Sequence, residues 1–168
     1  MRRLHGALCL SLGIAVLAIG LSENALSKKP VGAPAADAGK AAELANAVQI
    51  EPEALAKMLK ASKGEKPVVL HVGFKNFYDQ AKIPGSDYAG PGSKPEGLEL
   101  LRKRVSALQH KQLIVLYCGC CPWDKCPNAK PAYDALRDMG FSNVKVLHIA
   151  ENFGANWANA GLPVTKGE

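Results

Sequence analysis

The sequence predicts an α/β fold, a central parallel sheet of about five strands with helices on both faces. Three observations predict it. From residue 48 onward, short apolar runs alternate with segments of helical spacing. The run Leu113-Ile114-Val115-Leu116-Tyr117 is apolar throughout, as in a central strand buried on both faces. Gly and Pro breakers punctuate the alternation, at Ile83-Pro84-Gly85 and at Gly90-Pro91-Gly92. The composition agrees: 168 residues, 48% of them apolar and 21% charged, exclude a disordered chain and a polytopic membrane protein. That length suits one ordinary domain with a real core.

The elements follow in order. Val48-Gln49-Ile50 opens as a short strand. Pro52 suits a first helical turn, and Leu55, Met58 and Leu59 then share one face. Pro67 to Val72 reads as a buried strand, and a short helix over Asn76–Gln80 follows. Tyr88 to Pro95 reads as a loop. Pro95 opens a helix with Leu98, Leu101, Val105 and Leu108 on one side. The strand at 113–117 runs into a cysteine-rich loop. Asn128 caps the next helix, which turns Ala132, Ala135, Leu136 and Met139 inward and ends at Gly140. Val144 to Leu147 is another strand, and a last helix lies near Asn152–Ala160. Trp157 and Tyr78 read as core, and His110 as surface.

The N-terminus reads as an address. Met1-Arg2-Arg3-Leu4-His5 is basic, Ala7 to Leu21 is apolar, and Ala25-Leu26-Ser27 offers a small-residue cleavage site. The apolar run is short for a membrane span, which needs about 20 residues. Residues 1–27 are therefore expected to be a signal peptide, carrying Cys9 away with them, and 28–46 a flexible Ala-, Pro-, Gly- and Lys-rich linker. Residues 47–168 are the folded domain. The expected location is outside the cytoplasm, periplasmic or secreted, with membrane contact only through the export signal. The net charge of +6 is scattered and not interleaved with aromatic residues, so no nucleic-acid partner is expected.

Of five cysteines, four crowd into one loop: Cys118, Cys120, Cys121 and Cys126. A disulfide framework would spread them along the chain. In a parallel sheet, ligands bind beyond the carboxyl ends of the strands. This loop leaves the central strand there and enters a helix N-terminus, where N–H groups and the helix dipole lower a thiol pKa. Cys118 stands where such a nucleophile belongs, and Lys125 and Lys130 are candidates to add positive charge or bind an anion. Cys118 and Cys121 form a Cys-x-x-Cys pair, which makes Cys121 a candidate resolving thiol. Alternatively, Cys121 and Cys126 staple the loop and leave Cys118 free. A third reading has Cys118, Cys120, Cys121 and Cys126 hold Zn(II), or Cys118-Gly119-Cys120 take Cu(I), although four cysteines in so short a span are cramped for a tetrahedral site. Trp123 is either a recognition face or a lid, or else a loop hydrophobe packed down on the domain. His71 ends a strand and is a candidate auxiliary residue beside the loop; His148 ends another on the same side.

Several segments, in order, resemble the rhodanese-like sulfurtransferases. Ile50 followed by the Leu55 helix is similar to the family's opening. Phe77-Tyr78 and then Ile83-Pro84-Gly85 resemble its Tyr and Ile-Pro-Gly segment. Leu116-Tyr117-Cys118 resembles the strand that delivers the catalytic cysteine. Gly140-Phe141 with Val144 and Leu147 is similar to its Gly-Phe-x-x-Val-x-x-Leu, and Trp157 with Gly161-Leu162-Pro163-Val164 to its closing segment. The resemblance covers about residues 48–165. There are departures. His71 and Gly73 stand where the family has Asp and Arg, Lys82 stands for its His, and the cysteine loop is longer. The chain is similar to an exported subgroup with a Cys-Cys-Pro-Trp-x-x-Cys-Pro-Asn loop. The resemblance implies a sulfurtransferase that carries sulfane sulfur as a Cys118 persulfide, or does thiol–disulfide chemistry at the Cys118–Cys126 loop. It needs no cofactor. Its partners would be a small sulfur donor or thiol acceptor, and a redox partner protein. Two non-enzymatic readings stand beside it: a metal-binding or redox-sensing thiol module, and a scaffold that binds a partner protein.

Overall fold

A computed structural model of the chain describes residues 48–167. The expected signal peptide and linker lie outside the described residues. Five strands form one sheet: β1 (Gln49–Ile50), β2 (Val68–His71), β3 (Asp87–Tyr88), β4 (Ile114–Tyr117) and β5 (Val144–Leu147). Their order is β1-β5-β4-β2-β3, and every pairing is parallel. The helices are α1 (Pro52–Lys60), α2 (Lys75–Gln80), α3 (Pro95–Val105) and α4 (Ala129–Asp138). A 3-10 turn covers Trp123–Lys125, and a π-helical turn covers Gly154–Ala158. Among the described residues, no helix is long and apolar enough to cross a membrane.

The period of two along a strand divides the core into two layers. Ile114, Leu116 and the following Cys118 join Leu101, Val105, Ala132 and Leu136, on the face covered by α3 and α4. Val115 and Tyr117 join Leu55, Phe153 and Trp157 on the other face. All four residues of β4 are fully buried, as expected of a central parallel strand. Trp157 and Tyr78 are core, and His110 is exposed, as read from the sequence.

Two elements differ from the sequence reading. The segment after Tyr88 is a loop, but Asp87–Tyr88 pairs with Leu70–His71 as the edge strand β3. Two residues between breakers carry no readable period. The last helix is the five-residue π-helical turn, held by the Asn159 N–H on the Gly154 carbonyl at 2.8 Å and closed by Trp157 Nε1 donating to the Pro163 carbonyl at 2.7 Å.

Tyr117 crosses the layer to fix the chain after α2. Its hydroxyl accepts from the Ile83 N–H at 3.2 Å and shares a 2.8 Å hydrogen bond with Ser86 Oγ. Burial pushes this phenol up to about 12. Tyr117→Phe should strand the buried Ile83 N–H and cost about 1–2 kcal/mol. Urea unfolding would read this as a lower midpoint at constant slope. An unchanged midpoint would show that these bonds carry no net stability.

Candidate functional site

The site lies at the carboxyl edge of β2 and β4, where His71 and Tyr117 pair in register. Cys118 follows β4 directly, so the strand itself aims it, and only 4% of it is exposed. Gly119 then turns the chain with φ +84°, a left-handed conformation that glycine adopts freely. Two backbone hydrogen bonds fasten the loop to the segment after β5: Phe153 N–H to the Gly119 carbonyl at 2.8 Å, and Trp123 N–H to the Ile149 carbonyl at 3.3 Å. The chain returns through the 3-10 turn to Cys126, which is 6% exposed, and enters α4.

The return brings the sulfurs together. Cys118 Sγ and Cys120 Sγ are 3.3 Å apart, and Cys120 Sγ and Cys121 Sγ are 3.1 Å apart. The sulfurs of Cys118, Cys120 and Cys126 all lie within 4.8 Å of one another, close enough to share a soft metal ion. Cys121 is outside that trio, so the four-cysteine ligand set read from the sequence contracts to three among the described residues. All four are thiols in this structure.

The thiols are not equivalent. Cys126 is held at about 5, well below the ordinary thiol range. The Cys118 S–H donated to it is the main cause, and the N–H groups of Asn128 and Ala129 at the start of α4 assist. Cys118 is pushed up, first by its hydrogen bond to Cys126 and then by burial. Burial, followed by Cys120, pushes Cys121 up to about 12. The helix N-terminus therefore stabilises negative charge at Cys126, where the sequence reading assigned it to Cys118. Cys126 takes the helix N–H groups because the loop folds back on itself, a non-local event with no periodic signature. The one local signal was Cys-Pro-Asn immediately before the helix.

Asn128 also departs from its expected role. It occupies the N-cap position, but its side chain makes no cap hydrogen bond. Its Oδ1 accepts from Ser93 N–H at 3.1 Å and from Ser93 Oγ at 2.7 Å, and its Nδ2 donates to Cys118 Sγ at 3.4 Å. It ties the loop before α3 to the sulfur. His71 is buried beside the loop, between the rings of Tyr78, Tyr88 and Tyr117. Its Nδ1 accepts from the Gly73 N–H at 3.3 Å, and the ring also bonds the Cys118 backbone. Burial lowers His71 to about 4, so it is neutral and holds the loop's first residue in place. His148 is instead paired with Glu51, at 2.8 Å. Gly73, which the sequence reading noted only as a departure, packs directly on Cys118: a Cβ there would sit 2.8 Å from its sulfur.

A cavity of about 380 Å³ opens onto this sulfur edge. Cys118 and Cys120 face it, with Phe77, Tyr117, Phe153 and Asn152 among its walls. Its lining includes no charged side chain. Lys125 and Lys130 do not line it; both are exposed, and Lys130 is paired with Asp134 at 2.6 Å. Trp123 is half-buried against the α3–α4 layer, which is the packed-down alternative.

No family model and no curated protein matches the sequence. Solved structures do match. BH2092 from Bacillus halodurans is 21% identical over 78% of this chain and 84% of its own, with a TM-score of 0.57. The rhodanese-like domain of Alr3790 from Anabaena sp. is 21% identical over 71% of this chain and 80% of its own, with a TM-score of 0.53. EanB, in a cysteine-persulfide form with ergothioneine, is 21% identical over 70% of this chain, which spans only 28% of EanB, with a TM-score of 0.52. The parallel β1-β5-β4-β2-β3 sheet with its helices is the rhodanese-like fold.

Proposed function

We propose that this protein accepts sulfane sulfur from a small organic donor and holds it as a persulfide on Cys118. The observation that carries the reading is the placement of Cys118: β4 delivers it to the cavity, and its sulfur lies within 4.8 Å of the Cys126 sulfur. With a hydropersulfide R–S–SH, the Cys118 sulfur attacks the outer sulfur as its proton passes to Cys126. The donor's S–S bond breaks, and the leaving thiolate takes the proton back from Cys126. The products are the Cys118 persulfide and R–SH, with no net oxidation. The uncharged cavity lining favours an organic donor over a small inorganic dianion such as thiosulfate. A structural neighbour that carries a cysteine persulfide contains the same fold, which supports this chemistry on such a scaffold. The acceptor would be a thiol, either small or on a redox partner protein.

Intact mass spectrometry tests the reading. Reduced protein exposed to an alkyl hydropersulfide should gain one sulfur, about 32 Da. Cys118→Ser should gain none, and thiosulfate should load the wild type more slowly. A Cys118→Ser variant that still gains sulfur on the loop would overturn the assignment. Export is part of the same proposal and rests on the basic start, apolar run and small-residue site of residues 1–27. The mass of the protein recovered outside the cytoplasm would show cleavage after Ser27.

A further inference from the structure

The loop holds more thiols than sulfur acceptance uses. In the proposed loading step Cys126, whose sulfur lies within 4.8 Å of the Cys118 sulfur, takes the proton. Cys120 and Cys121 remain, and the structure treats them differently. The left-handed turn at Gly119 folds residue 120 back toward residue 118, bringing their sulfurs to 3.3 Å. Both line the same cavity. Cys121 does not line it and sits with Trp123 and Cys126 at a much smaller pocket.

We propose that Cys120 discharges the Cys118 persulfide, releasing hydrogen sulfide into the cavity and leaving a Cys118–Cys120 disulfide. This activity rests on the persulfide reading of Cys118. The Cys120 sulfur attacks the inner sulfur, Cys118 Sγ. A Cys118–Cys120 S–S bond forms, and the bond from Cys118 to the outer sulfur breaks. The outer sulfur leaves as sulfide and takes the Cys120 proton. The sulfane sulfur is reduced by two electrons, and the two thiols are oxidised by two. A dithiol reductant then restores both thiols. Cys126 does not line that cavity, whereas Cys120 does. The sequence reading offered Cys121 as resolving thiol; proximity to Cys118 and access to the cavity select Cys120 instead.

The test loads full-length reduced protein with an alkyl hydropersulfide, removes the donor, and follows intact mass and free sulfide without added thiol. In the wild type, the species heavier by about 32 Da should convert to one about 2 Da lighter than the reduced protein, with about one equivalent of sulfide. Cys120→Ser should load but keep its extra sulfur and release at most about a tenth of the sulfide. Cys121→Ser should behave as the wild type, and peptide mapping should place the disulfide at Cys118 and Cys120. Wild-type sulfide release by Cys120→Ser, or a disulfide mapped elsewhere, would overturn the inference. A wild type that loads and stays persulfidated overturns it too, but leaves the persulfide reading standing. A wild type that never loads removes both.

Discussion

Cys126→Ser is expected to erase the acidic thiolate step and to cripple sulfur loading while sparing the fold. In the wild type, thiolate absorbance near 240 nm should rise with a midpoint near pH 5, where the Cys118 S–H and the α4 N–H groups hold Cys126. In the variant, that step near pH 5 should be absent. Loss of a positioned proton acceptor costs about 10²–10⁴-fold in rate, so loading at neutral pH should fall by that order. The sign of the stability effect follows from linkage. The folded pKa of Cys126, about 5, lies below its unfolded value of 9.0. Its contribution is therefore full above pH 9 and is lost as pH falls through 5. Urea midpoints of wild type and variant should accordingly converge toward pH 5 and separate as pH rises toward 9. Above that range, Cys118 works in the opposite direction, because its folded pKa is raised. An acidic thiolate step that persists in Cys126→Ser would assign the charge to another sulfur.

Gly73→Ala should damage sulfur loading although Gly73 does not line the cavity. The added Cβ would lie 2.8 Å from Cys118 Sγ, 2.9 Å from the Cys118 carbonyl oxygen and 2.9 Å from His71 Cε1. None of these can yield cheaply. The carbonyl is backbone, and the imidazole is packed among three tyrosine rings. Overpacking of this kind costs about 1–3 kcal/mol. The relief that remains is to push the sulfur away from the cavity, so loading should drop more steeply than stability. Unfolding midpoints and loading rates, measured on the same preparation, separate the two effects. A variant with wild-type stability and loading would show that the β2 exit gives way and that this close approach is incidental.

The central architecture was legible because it is written in local periodicity. The apolar run at 113–117 identified the central strand, and its carboxyl end located the site before any side chain was placed. The helix faces carrying Leu55, Leu101 and Leu136 were readable for the same reason. What stayed hidden depends on segments distant in sequence. Edge strand β3 exists because it pairs with β2. Asn128 serves the Ser93 loop and the Cys118 sulfur, not its own helix, because a segment 35 residues earlier packs against it. The unequal charge of the four thiols arises only when residue 126 returns to residue 118, which composition and spacing cannot encode. The lysines drew a functional reading by proximity in sequence, yet Lys130 spends its charge on Asp134 one turn along its own helix.

The two backbone bonds from Phe153 to Gly119 and from Trp123 to Ile149 have an architectural consequence. Both partners belong to the stretch that leaves β5, so the first part of the cysteine loop is pinned at each end to one short piece of scaffold. Between the pins hang only Cys120, Cys121 and Pro122. Substitutions at these three positions remove none of the backbone groups that make the two pins, and Cys118 still follows β4 directly. Variation confined to this bracket would retune what happens to a bound sulfur atom, and leave how that sulfur is captured unchanged.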